Sequence, residues 1–141
     1  MKPGECKVMV VPCSGIGKTY GTVSREAAYE VTEDQRPQST QLVALSLLVL
    51  GDEDARDAVR EHAAVTIDGC KLGCAAKMVQ ESGGHVAAGI AVLDVYRRNR
   101  DLKPQGIAEL NEGGLQLAHA VAAEISAAVD GLMSREEASH A

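Results

Sequence analysis

Two short apolar runs in this chain stop abruptly at small polar residues that include cysteine. Val8–Val11 ends at Pro12–Cys13–Ser14–Gly15, and Val65–Ile67 ends at Asp68–Gly69–Cys70, with Cys74 following. β-Branched runs bounded by Pro, Gly and Asp read as strands, which predicts Lys7–Val11 and Ala64–Ile67 as the first two. Elsewhere apolar positions recur at helical spacing. Thr22 caps a predicted helix running to about Asp34 through Ala27, Ala28 and Val31. Ser39 or Thr40 starts a mostly buried helix that Gly51 ends, and Asp52 caps a third, Glu53–His62, with Ala55, Ala58, Val59 and His62 on one stripe. Lys71–Ser82 is a predicted helix stopped by Gly83–Gly84. His85–Val92 is expected to be a third strand that runs into a short helix containing Val95 and Tyr96. Arg97–Lys103 then reads as a basic, exposed connection. Asn111 caps the last helix, whose stripe is Leu115, Ala118, Ala122, Ile125 and Val129.

The predicted order is β-α-α-α-β-α-β-α. It points to an α/β fold: a small parallel sheet of about three strands flanked by helices, in one domain over residues 1–133, with 134–141 a polar tail. In an open parallel sheet, loops leaving the carboxyl ends of neighbouring strands converge on one crevice. If the first two predicted strands are neighbours, the cysteine-bearing loops share that edge.

Composition narrows the picture. Hydrophobic residues make up 45 % of the chain, with no Phe, no Trp and three Tyr. The core is therefore built from Ala, Val, Leu and Ile, which suits buried parallel strands under Ala-rich helices. The lack of aromatic stacking platforms and a net charge of −6 argue against nucleic acid as a partner. The longest apolar stretch, Leu42–Leu50, is about half the ~20 residues that span a bilayer. Met1–Glu5 lacks the layout of a signal peptide, so a cytoplasmic location and reduced thiols are expected.

Those thiols carry the candidate chemistry. Zinc takes about four ligands held tetrahedrally. On a helix Cys70 and Cys74 would share a face with Cβ atoms ~5–6 Å apart, a gap that suits a bridging metal better than a disulfide. Free N–H groups in the first turns of that helix would face their sulfurs. Cys13 arrives from the other strand end as the third ligand. Cys6 would lie about 20 Å away along an extended strand and joins only through an irregular N-terminus or a second copy, which leaves a homo-oligomer open. The fourth position then goes to water, a substrate, Asp68 or His62. Two other readings stay open: Cys70 or Cys13 as a metal-free nucleophile in a thiol enzyme, and cysteines that are simply small buried residues.

The glycine loop Ser14–Gly15–Ile16–Gly17–Lys18–Thr19 resembles a phosphate-binding loop only in part. The full pattern requires glycine where this chain has Pro12, which cannot donate a backbone N–H. The loop is better read as glycines turning the backbone around the Cys13 sulfur.

Several segments together resemble one family. Val10–Val11–Pro12–Cys13–Ser14–Gly15–Ile16–Gly17–Lys18, Ser24–Arg25–Glu26–Ala27–Ala28 and Thr66–Ile67–Asp68–Gly69–Cys70–Lys71–Leu72–Gly73–Cys74 are similar to those of the DGC-domain family. Asp94–Val95–Tyr96 and Leu102–Lys103–Pro104–Gln105–Gly106–Ile107 also agree with it. This small prokaryotic family takes its name from the Asp-Gly-Cys triplet, and its zinc assignment rests on sequence pattern. The resemblance implies zinc held by four cysteines, of which Cys13, Cys70 and Cys74 carry over. The fourth is expected in the central helix, where this chain reads Thr40–Gln41–Leu42–Val43–Ala44–Leu45 and has no cysteine.

Overall fold

The computed structural model describes residues 7–13, 18–69 and 73–140, with side chains described through residue 136. Ser14–Gly17, Cys70–Leu72 and Cys6 lie outside the described residues. A β-branched, fully buried run forms β1, Val8–Pro12. It leads to α1, Thr19–Tyr29, which continues as a π-helical turn, Glu30–Gln35. Next come β2 (Thr40–Leu42), α2 (Leu45–Leu50) and α3 (Glu53–Glu61). The chain returns as β3, Ala64–Asp68, followed by α4 (Cys74–Glu81) and β4 (Val86–Ala91). It closes with α5, Val92–Arg97, a 3₁₀ turn at Arg100–Leu102 and the long α6, Glu112–His140.

The four strands form one parallel sheet in the order β2-β1-β3-β4. Because β1 lies between β2 and β3, the chain leaves it in one direction for β2 and passes to its other side for β3. The connecting helices accordingly fall on opposite faces. Val8, Val10, Val65 and Ile67 pack against α1, α5 and α6 through Val23, Ala27, Val95, Val121 and Ile125. On the other face Met9, Val11, Cys13 and Ala64 pack against α2, α3 and α4 through Leu48, Ala55, Val59, Ala75 and Val79. Alternation along each strand thus feeds two cores, which is why both strands are buried throughout.

The α/β class and the parallel sheet match the sequence reading, and the β1–β3 adjacency on which the shared edge is conditional is present. The sheet has four strands rather than about three. Thr40–Leu42, expected to open a buried helix, is instead an outer strand paired with Val8–Val10. The helix that follows is short and exposes Leu47, Val49 and Leu50. α4 spans Cys74–Glu81 and is preceded by Gly73 in the left-handed conformation at φ 67°, while the expected start at Lys71 lies outside the described residues. On α6, Leu115 faces solvent, and Leu117 and Val121 take the buried stripe with Ala118, Ala122, Ile125 and Val129.

Asp52 caps α3 as expected, its carboxylate accepting from the Ala55 N–H at 2.9 Å. Asn111 likewise caps α6 through the Gly114 N–H at 2.8 Å.

Candidate metal centre

The reversal of strand order between β1 and β3 is a topological switch point. The helices that follow these two strands, α1 and α4, lie on opposite faces of the sheet, and the carboxyl ends of strands at such a point are where open α/β sheets bind ligands. Cys13 stands at that point. It directly follows β1, and its backbone N–H donates to the Ile67 carbonyl at 2.8 Å, carrying the ladder one residue past the strand. The residue is 8 % exposed.

The sulfur of Cys13 is held by both flanking elements. The Gly69 N–H, just after β3, donates to Sγ at 3.1 Å. From α1, the Ser24 hydroxyl lies 3.4 Å from the same sulfur. Gly69 is required by close approach. A Cβ there would sit 3.1 Å from the backbone of Tyr20 and Gly21, in the first turn of α1. A side chain there would require the end of β3 and the first turn of α1 to part by a few tenths of an ångström, at the amide that meets the sulfur.

Asp68 and Cys74 complete what the described residues show of this edge. Asp68 is 8 % exposed, and its Oδ1 accepts the Ala75 N–H at 2.8 Å. The carboxylate therefore caps the start of α4, which satisfies one of the amides every helix leaves free at its N-terminus. Cys74 is the first residue of that helix and is exposed. Consecutive residues thus tie the two thiol-bearing elements together: Asp68 anchors the helix of Cys74, and Gly69 anchors the sulfur of Cys13. Nearby, the Thr22 hydroxyl donates to the Ile107 carbonyl at 2.6 Å and fastens the loop at 103–111 to the first turn of α1.

Of the residues singled out in the sequence, the structure places Cys13, Cys74 and Asp68 on one edge. Cys70 lies outside the described residues, as does the glycine loop at 14–17. His62 is elsewhere. α3 runs back to the amino edge to feed β3, so His62 ends beside Lys7 and Gln41 in a cleft of about 400 Å³, at the wrong edge to ligate with Cys13. The expected Cys70–Cys74 pair on one helical face involves Cys70 and so lies outside the described residues, within which Gly73 is left-handed just before α4. Ser24, which the sequence offered only as part of a motif, is the residue missed. A serine inside a helix, eleven positions from the cysteine it touches, gives no local signal of that contact.

Among the described residues no three His, Cys, Asp or Glu side chains are grouped to hold a metal ion. The two described thiols are donors of the soft kind that zinc accepts. The sulfur of Cys13 already receives an N–H, the role a metal-bound sulfur plays in its surroundings.

The chain matches the DGC domain over residues 9–113. It belongs to the DGC-domain family. The matched span runs from β1 to the start of α6 and includes every residue of the thiol edge. No curated protein and no solved structure matches the chain.

Proposed function

We propose that this DGC-domain protein binds zinc through Cys13, Cys70 and Cys74 at the carboxyl edge of its sheet. The observation that carries the reading is the Gly69 N–H on the Cys13 sulfur, at the switch point between β1 and β3. A donor aimed at a buried sulfur offsets the cost of negative charge there, and such partners tune thiolate ligands. Asp68 supports the reading from the other side, since it fixes the helix that begins with Cys74. Bound zinc would supply a Lewis acid, and three thiolates leave one tetrahedral position for water or substrate.

A metal-free nucleophile at Cys13 has less support, because the side chain is buried on the α4 face and shielded by Ser24 and Gly69. The two readings separate by alkylation mapped residue by residue. Cys74 is exposed, so in the apo protein it reacts readily. The expected result is that one equivalent of zinc protects Cys74 and Cys70, and that a chelator restores their reactivity. Unchanged alkylation of Cys74 with and without zinc would remove the assignment.

A further inference from the structure

Ser24 lies in the second turn of α1 and is 0 % exposed. Its Oγ donates to the Gly21 carbonyl at 2.7 Å and is also 3.3 Å from the Cys13 carbonyl. The back-bond to Gly21 alone satisfies a serine buried in a helix. The Cys13 sulfur at 3.4 Å is a further partner that satisfaction of the hydroxyl does not require. A hydroxyl has one proton and two lone pairs, so it can accept from a thiol or donate to a sulfur without a proton. With its hydrogen on Gly21, the oxygen presents lone pairs to Cys13, which suits an S–H donor. A metal-bound sulfur has no hydrogen to give. Oxygen and sulfur in contact then repel unless the hydroxyl turns its hydrogen onto the sulfur.

We propose that Ser24 is a positioning residue for Cys13. Its hydroxyl turns from the Gly21 carbonyl to the sulfur when Cys13 serves as a ligand, and with the Gly69 amide it forms a two-donor cradle. This rests on the metal-binding reading above. Alanine at 24 could neither accept from the thiol nor donate to the ligand sulfur, and would leave Gly69 as the one donor described on it. A threonine keeps the hydroxyl.

The test uses the full chain, loaded with cobalt(II) as a spectroscopic stand-in for zinc, in wild type, Ser24→Ala and Ser24→Thr. Removing a donor from a ligand sulfur raises its lone-pair energy. Ser24→Ala is therefore expected to move the thiolate-to-cobalt band to longer wavelength and to weaken cobalt binding 10- to 100-fold, as outer-shell losses typically do. Ser24→Thr should return the band toward its wild-type position. A serine that merely packs would change the apo melting temperature and leave the band in place, so an unmoved band in Ser24→Ala overturns the inference. If the wild-type chain itself gives no thiolate-to-cobalt band, the metal-binding reading fails first and this inference falls with it.

Discussion

At the scale of single residues, Asp68 shows how a side chain singled out as a candidate ligand also serves as a scaffold. Its carboxylate is buried beside the loop that carries the Asp-Gly-Cys triplet, and Oδ1 accepts the Ala75 N–H. Asp68→Ala should lower stability by about 1 kcal/mol, the typical loss when a helix cap is removed. Asp68→Asn keeps an acceptor and should lose less. Urea denaturation of the three proteins checks the order, and an Asp68→Ala variant as stable as wild type would contradict the capping role. The sequence pointed to Asp68 because it lies two residues before Cys70, but its role depends on where α4 starts. That start is set by the left-handed Gly73, which helical spacing alone does not reveal. His62 failed as a candidate ligand for a similar reason: its stripe was legible, but the stripe does not say which sheet edge the helix end reaches.

At the scale of elements, strands with continuous apolar runs were the easiest to read, and β1 and β3 lie where their Val and Ile residues put them. β2 was hidden. Three residues are too few to establish alternation, and the apolar run that follows them reads as helix. The end of α1 was blurred by a π-helical turn, Glu30–Gln35, that delivers Arg36 toward α6. There Arg36 makes a two-pronged bond to Asp130, Nε to Oδ1 and Nη2 to Oδ2, both at 2.8 Å. That bond holds the Asp130 carboxyl below its ordinary value, and Asp130 in turn raises Arg36. A carboxyl lowered in the folded state stabilises above its unfolded value of ~4 and loses that contribution as pH falls through the folded value. Both side chains are largely open to solvent, so the effect is small and salt-sensitive. Asp130→Asn should therefore lower the melting temperature slightly near neutral pH, with the gap closing in acid and in high salt. Thermal melts against pH would show it, and a gap that widened in acid would contradict the pairing.

At the scale of the molecule, the order β2-β1-β3-β4 explains why Cys13, Asp68 and Cys74 share one edge. The reversal at β1 sends α1 to one face and α4 to the other, and it leaves Cys13, Gly69 and Asp68 at the carboxyl edge between them. The sequence made this edge legible through two strands that end in cysteine-bearing loops. It did not contain the strand order, which depends on how a short β2 pairs with β1 at long range. Nor did it disclose the Ser24 contact, which exists only once α1 lies across the end of β1. The central claim is that the family's thiols hold one metal at this switch point. The most direct measurement is elemental analysis of untagged protein purified without oxygen, beside a Cys74→Ala variant. The account predicts about one zinc per chain in the wild type, lost in the variant. Zinc retained by the variant, or no metal with all four thiols free in the wild type, would contradict it.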